Sequence, residues 1–491
     1  MDVHISLRKS KLKPRQIGLL VVAGLLIALS WWGIFTARSG LIVRSFDREG
    51  IPLLYLAPKS VRLVPGVLVA HGYSGSKQLM LTYGHVLARA GYAVMLWDWD
   101  GHGANPNRLQ SDSLQRNFET AWNAIAQQPK VDQTRLAVLG HSMGSGAVMT
   151  AAIDHAGDFF ATVAISPTGA TVTPEQPRNL QLQAGSWEGG FIRNAERILQ
   201  QAGGINADVA LGRGREFVLV PNVEHITILF NSVSHDAARQ WLDRTFGQQQ
   251  QNQYVDRRML WQGVHLIGWL IGLAAVMPSL QIEIAPLSIS ALQRWGGLAL
   301  SSIVPTAGLV LLDRAIDLQT LGGVQVGGAV ALWFLMAGTI WLLVLRQVPH
   351  LGLRSVLLGI GVFTALWIAV GAMAQIVWLQ SVLIPARLGV WGIIAIASLP
   401  WFLATEIAQQ NRNAGQRMIW GVAQSTALIG GFVLVLQFLP QLGFMFLLLP
   451  LFPVLITLLS IVSSQVRESW SVAIASAFLF AWLLAAGFPL A

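Results

Sequence analysis

The sequence contains no cysteine. That excludes a disulfide framework and any thiolate metal site, but it leaves the compartment open, because its absence fits either side of a membrane. Charge is scarce as well. Only 12% of residues are Asp, Glu, Lys or Arg, against 53% hydrophobic, which excludes an ordinary soluble protein and places much of the chain in lipid. The net charge of +9 is not a nucleic-acid signal, because much of the excess sits in one tail, Arg8, Lys9, Lys11, Lys13 and Arg15, beside an apolar run. It reads as a topology signal at a lipid surface. Asp98, Asp100 and His102 lie close together, but Gly101 and Gly103 make a tight turn there and no further ligand cluster follows. Neither a metal nor another cofactor is expected.

What is present falls into five stretches: a basic tail at 1–16, an apolar run at 17–37, a mixed segment at 38–247, a polar stretch at 248–257 and an apolar remainder at 258–491. The first run is about twenty residues long without a charge, enough to cross roughly 30 Å of hydrocarbon. It is long for the apolar part of a cleaved signal peptide and no clear A-x-A site follows, so an uncleaved signal anchor is expected. Gln248–Gln253 has nothing to bury and reads as a linker. Beyond it about eight more spans are expected, near 259–277, 295–312, 325–345, 355–379, 387–405, 417–438, 441–463 and 470–488.

The mixed segment shows short strand-like runs at 41–46, 53–57, 67–70, 93–97, 136–139, 161–165, 180–183 and 217–220, alternating later with helical patterns. Leu114, Phe118, Ala121, Trp122 and Ile125 make one apolar helical stripe. Such alternation predicts an α/β domain with a mostly parallel sheet covered on both faces. Its central feature is Gly140-His141-Ser142-Met143-Gly144, between the apolar run Leu136–Leu139 and a helical pattern from Ala147. A strand, this pentapeptide and a helix together make a nucleophile elbow with Ser142 at its tip. Side chains at 140 and 144 would collide with the neighbouring strand or helix, so glycine fits there.

With His71-Gly72-Tyr73-Ser74-Gly75 after one apolar strand and Asp98-Trp99-Asp100-Gly101-His102-Gly103 after the next, residues about 40–247 resemble an α/β-hydrolase. The resemblance covers under half of the chain. It implies an oxyanion hole made by the backbone N–H groups of Tyr73 and Met143, and the chain order nucleophile, acid, histidine. Glu188, after the strand at 180–183, stands where that family usually carries Asp, and glutamate is an accepted variant. Two histidines remain as base, His225 and His235. His225 lies in the loop after the last strand, whereas His235 is in a helix whose apolar stripe is expected to be Val233, Ala237 and Trp241, which would turn His235 to the other face. His225 is therefore the expected base. His141 is expected to pack beside the serine, and His71, His85, His102 and His155 to be structural or surface residues. Only about a dozen residues, Pro167 to Arg178, follow the sixth strand, so no helical lid is expected there.

In the apolar remainder, His265 lies within a span, while Asp313, Arg314, Asp317 and Glu406 fall near span ends, where solvation at the interface accounts for them. Pro305, Pro400, Pro450 and Pro453 would break helices or be tolerated in a plain bundle. Two function classes follow. One is a membrane-bound serine hydrolase cleaving an ester, lipid or peptide bond of a small-molecule or lipid-like substrate through an acyl-enzyme on Ser142. The other is a transport or assembly protein carrying a non-catalytic hydrolase-like module. The distribution of Lys and Arg predicts that the hydrolase segment lies outside the cytoplasmic membrane, the source being taken as bacterial. Arg346, Arg354, Arg412, Arg417 and Arg467 then lie in cytoplasmic turns, Arg314 and Arg387 in opposite ones, and Arg257 and Arg258 against the trend. Oligomeric state is not legible.

Overall fold

In a computed structural model the chain is described over residues 12–60, 62–110, 112–251, 254–280, 287–410 and 412–491. Arg8, Lys9 and Lys11 of the basic tail and positions 252 and 253 of the glutamine-rich stretch lie outside the described residues. The chain divides into two units. One comprises residues 1–31, 263–370 and 388–485; the other comprises 32–262, 371–387 and 486–491.

The second unit holds an eight-stranded sheet in the order β1-β2-β4-β3-β5-β6-β7-β8. The strands are β1 (Leu41–Arg48), β2 (Ile51–Pro58), β3 (Val64–Ala70), β4 (Ala93–Trp97), β5 (Val131–His141), β6 (Phe159–Ile165), β7 (Leu180–Gly185) and β8 (Arg215–Val220). The β1–β2 and β2–β4 pairings are antiparallel and the remaining five are parallel. β3 and β4 are buried along their whole length, which is why Val-Pro-Gly-Val-Leu-Val-Ala and Ala-Val-Met-Leu-Trp run apolar without alternation. The chain enters this unit through α1 (Pro14–Arg38). Helices α2 (Leu81–Arg89) and α6 (Ser232–Phe246) pack on one face, with Val67, Val69, Leu87 and Trp241 in the core beneath them. On the other face lie α3 (Ser113–Ala126) and α4 (Met143–Asp154), packed with Phe118 of α3 over Leu68, Met95 and Val138, with α5 (Gly189–Gln201) over β7 and β8. The fold is thus an α/β-hydrolase-like, mostly parallel sheet with helices on both faces. Between β6 and β7 the chain forms no helix.

The buried face of α6 differs from the expected one. Ser234, His235, Ala238, Trp241 and Leu242 are buried, while Val233 is 45% exposed. His235 therefore faces the core, its Nε2 donating to the Leu229 carbonyl (2.8 Å) and its ring edge-on to Tyr83. Polar groups with local partners can sit on a buried face, and a stripe drawn from apolar residues alone misses them.

The polar stretch after α6 is packed in part. Arg89 lies over the Tyr254 ring (5.3 Å), and Asp256 pairs with Arg258, both nearly inaccessible. The Arg258 Nη1 also donates to the Ile376 carbonyl (3.2 Å). Residues 371–387 are the larger surprise. The apolar pattern at 355–379 predicts one span, but the helix ends at Ala372, and Met373, Ala374, Val377 and Leu379 are buried within the second unit, where Trp378 packs on the same core as Val69 and Leu229. Hydropathy reports that residues avoid water and does not report what covers them.

The first unit is helical, built from the greater part of α1, of α7 (Arg258–Val276), of α11 (Pro385–Ala408) and of α14 (Ser469–Gly487), together with α8 (Ala291–Leu312), α9 (Gly327–Leu345), α10 (Leu353–Trp367), α12 (Ala414–Phe438) and α13 (Leu451–Val466). Among the described residues eight helices are long and apolar enough to cross a membrane, or nine when the pair Pro440–Leu448 and Leu451–Val466, bent by 42°, counts as one span. Trp333, Phe334, Trp401 and Phe432 interlock at its centre. Pro305 and Pro400 sit inside continuous helices, and Pro450 lies at the bend. Glu406 is not solvated at an interface as its position near a span end predicts. Its two oxygens accept from Gln409 Nε2 and Ser463 Oγ, both at 2.6 Å, in a buried setting.

Candidate active site

β5 ends at His141 and α4 begins at Met143, so Ser142 occupies the corner alone. Its backbone is left-handed, φ 52° and ψ −122°, a conformation that costs a non-glycine residue on the order of 1–3 kcal/mol and persists only when the surroundings impose it. They do so here at two glycines. A Cβ on Gly140 would lie 2.3 Å from the Gly144 carbonyl oxygen, and one on Gly144 would lie 2.5 Å from that of His71. The Ser142 N–H is fixed in addition by the Ile165 carbonyl at 2.9 Å.

Three expected side chains meet at this corner. His225 Nε2 is 3.0 Å from Ser142 Oγ, and His225 Nδ1 is 2.7 Å from Glu188 Oε1. β7 delivers Glu188 and the loop after β8 delivers His225, so the three lie at the ends of parallel strands of one sheet, with β6 between β5 and β7. The reach of glutamate is controlled by its other oxygen. Glu188 Oε2 accepts from the Gly185 N–H (2.6 Å) and the Ser166 hydroxyl (2.9 Å). With both oxygens engaged, the carboxylate can accept from Nδ1–H, and the unprotonated Nε2 then faces the serine hydroxyl.

The imidazole is held by groups the motifs do not name. Phe191 of α5 stacks on it, and the His141 ring packs against it at a tilt, with Nε2–H donating to the His225 carbonyl (2.9 Å). Burial keeps His141 neutral, well below the usual histidine range. Phe191 carries no sequence signal, because an aromatic in an amphipathic helix is ordinarily core. Ser166, immediately after β6, was legible only as a strand end. His235, the rejected base, lies in the core contact described above.

The remaining loops frame the expected oxyanion side. Tyr73 and Met143 are placed there by chain position: Met143 is the first residue of α4, where helix N–H groups lack intrahelical partners. Gly72 runs so close to the elbow that a Cβ on it would sit 3.0 Å from Ser142 Cβ. His71 is locked beneath: Nδ1 donates to the Gly72 carbonyl (2.7 Å), Nε2 accepts from the Trp99 N–H (3.2 Å), and the Trp99 indole N–H donates to the His71 carbonyl (2.8 Å). Burial drives the His71 pKa down to about 4 and that of His102 to about 3.

Asp98 and Asp100, considered above as metal ligands, are used by protein donors. Asp98 accepts from the Lys77 ammonium, the Lys77 N–H (2.7 Å) and the Ala104 N–H (2.9 Å). Its burial favours the neutral form, yet Lys77 and His71 hold its carboxyl below the usual range. Asp100 accepts from Asn105, Asn107, Ser113, Arg116 and Asn117. His85 is buried in the same unit, and His155 packs against the Trp122 ring.

Residues 64–218 match the family model described as serine aminopeptidase, S33. The match covers under half of the chain and lies wholly within the second unit, whose mostly parallel sheet is α/β-hydrolase-like. Curated relatives include an uncharacterized protein of Mycobacterium tuberculosis, 27% identical over 120 residues, which are 24% of this chain and 43% of that protein. An uncharacterized Escherichia coli protein from the traX-finO intergenic region is 27% identical over 21% of this chain and 38% of its own length. The chain thus spans about two fifths of the curated relatives it matches. Among solved structures it is similar to the dienelactone hydrolase of Anabaena variabilis (18% identity, TM-score 0.31, covering 41% of this chain and 95% of that one). It is also similar to the esterase Est22 (15% identity, TM-score 0.35, covering 49% and 99%).

Proposed function

We propose that this protein is a membrane-bound serine hydrolase that cleaves an ester, lipid or peptide bond through an acyl-enzyme on Ser142. The observation that carries the reading is the unbroken chain from Ser142 Oγ to His225 (3.0 Å) and from His225 to Glu188 (2.7 Å). Ser142 Oγ attacks the substrate carbonyl carbon while His225 Nε2 takes the hydroxyl proton. Glu188 stabilises the imidazolium so formed, and the N–H groups of Tyr73 and Met143 receive the developing oxyanion. Collapse expels the leaving group, which His225 protonates, and leaves the acyl group on Ser142. Water then repeats the sequence on the acyl-enzyme, releasing the acid and restoring the serine.

The test is labelling of the full chain by a fluorophosphonate, which reacts with an activated serine. Wild type should label stoichiometrically, Ser142→Ala not at all, and loss of the nucleophile should cost on the order of a millionfold in kcat. Glu188→Gln should cost about 10⁴-fold, because an amide donating to Nδ1 leaves the proton on Nε2, where it cannot serve as base. Ester turnover by Ser142→Ala overturns the mechanism. A wild type that never labels favours the transport or assembly reading.

For the membrane, we propose that the hydrolase unit lies on the outer face of a cytoplasmic membrane. Residues 371–387 and 486–491 fold in the same unit as 32–262, and an even number of crossings must therefore separate each from it. Among the described residues four qualifying helices lie between the first two stretches and four between 387 and 486, counting the bent pair as one. This parity supports the alternation in which Arg346, Arg354, Arg412 and Arg467 fall on the cytoplasmic side. Arg258, which opposed it, is buried against Asp256 and so is not a solvated charge. Protease added to intact spheroplasts should digest the hydrolase unit; protection until the membrane is opened reverses the assignment.

A further inference from the structure

Tyr73 is followed by three residues that reach late parts of the same unit. The Ser74 hydroxyl donates to the Gly487 carbonyl (3.1 Å), the Ser76 hydroxyl accepts from the Gln380 N–H (3.3 Å), and the Gln78 amide donates to Gln380 Oε1 (2.6 Å). The neighbouring loop is bound in the same way. Arg387, 1% exposed, donates to the carbonyls of Gly101 (Nη2, 2.6 Å), Gly103 (Nε, 3.1 Å) and Phe488 (Nη1, 2.7 Å), and the Leu490 N–H donates to Gly101 as well (2.8 Å).

Ser74, Gly101 and Gly103 all have left-handed backbones, so neither loop can pair its carbonyls as helix or strand would. The guanidinium answers this need, since its planar fork presents donors to several carbonyls at once, which an ammonium cannot reproduce. The two loops are also joined to each other. Lys77 of the first binds Asp98, and the His102 ring of the second packs edge-on to Tyr73 and against His71.

We propose that Arg387, assisted by Gln380, is a positioning residue for the oxyanion side of the Ser142 site, so that the hydrolase becomes competent only when the segments 371–387 and 486–491 have docked. This rests on the serine-hydrolase reading above. Arg387 touches no reacting atom in this scheme; it acts by holding Gly101 and Gly103, and through His102 and Tyr73 the loop that carries an oxyanion donor. A misplacement of about 1 Å at such a donor costs on the order of 100-fold.

The experiment uses the full chain in detergent and follows two quantities, the rate of fluorophosphonate labelling and its final stoichiometry. Arg387→Ala should label about 100-fold more slowly yet reach full stoichiometry, with kcat for p-nitrophenyl butyrate reduced in proportion and KM within about twofold. Arg387→Lys should recover part of the rate. A merely structural role would lower the stoichiometry and leave the rate of the folded fraction unchanged, and that result overturns the proposal. Should Arg387→Ala fail to fold, Gln380→Ala, which removes only the Gln78 contact from this set, should slow labelling about tenfold, and an unchanged rate overturns it equally. If wild type does not label, the hydrolase reading has failed. The positioning role is then read from hydrogen exchange, which should rise at residues 72–78 in Arg387→Ala or, where that variant does not fold, in Gln380→Ala; unaltered exchange overturns it.

Discussion

Phe191 lies flat against the His225 imidazole, with ring centroids 4.5 Å apart and planes 17° from parallel. A histidine in a loop swings about χ1 and χ2, and a catalytic base must hold Nε2 toward the nucleophile within a few tenths of an ångström. Stacking removes that freedom on one face, and His141, with centroids 4.6 Å away and rings tilted by 43°, restricts it further. Phe191→Ala should therefore lower kcat about tenfold with little change in melting temperature, because Phe191 is only partly buried. Phe191→Leu restores bulk without a flat face and should recover less activity than Phe191→Tyr. Equal activity of all three by steady-state kinetics would show that the stacking is incidental.

The strained corner sets stability against activity. Ser142→Gly should remove the φ 52° penalty, whereas Ser142→Ala keeps it. Glycine also gains entropy when unfolded, so the net gain is about 1 kcal/mol. In thermal unfolding the Gly variant should melt a few degrees above the Ala variant, both being inactive. A lower melting point for Ser142→Gly would mean that the corner is not strained.

Acid should destabilise the hydrolase unit in a particular window. His71 and His102 titrate near 6.5 when unfolded but at about 4 and about 3 when folded, chiefly because burial penalises the charged ring. Between those values the unfolded chain binds more protons, so stability is complete above about pH 6.5 and falls as pH drops toward 4. Asp98 and Asp100 are held below 3.8 and lose their contribution only at lower pH. A melting temperature measured from pH 8 to 4 should decline below about 6.5, with a shallower slope in His102→Gln. A flat profile to pH 4 contradicts the burial argument.

How much of this was written in the chain can be judged at particular residues. Gly140 and Ser142 specify the elbow locally, since the clash that a Cβ on Gly140 would make is with the Gly144 carbonyl, whereas Gly144 is required by the approach of the His71 carbonyl from the neighbouring strand. Strand–helix alternation then predicts the sheet, and the resemblance to the α/β-hydrolases, with its order of nucleophile, acid and histidine, is what placed Glu188 and His225 beside Ser142 in the reading of the sequence. The α6 face was misread because Ser234 and His235 are polar yet buried, a choice made by Leu229, Tyr83 and Gln183 across the fold. Phe191 has the same character, being an ordinary helical aromatic until the tertiary structure sets it on an imidazole.

The amino-acid sequence by itself determined the sheet, the elbow and the apolar runs, because periodicity and backbone sterics are properties of short segments. Only the tertiary structure decided that Met373–Leu379 leaves the run it seems to continue, and that Arg387, apparently one more charge in a turn, is buried among the carbonyls of Gly101, Gly103 and Phe488. Hydropathy measures the cost of contact with water, and lipid and protein interior remove that cost equally well. A partner nearly 300 residues away in the chain leaves no periodic trace. Its choice rests on which unsatisfied carbonyls the folded loops present, and those exist only once the fold has formed.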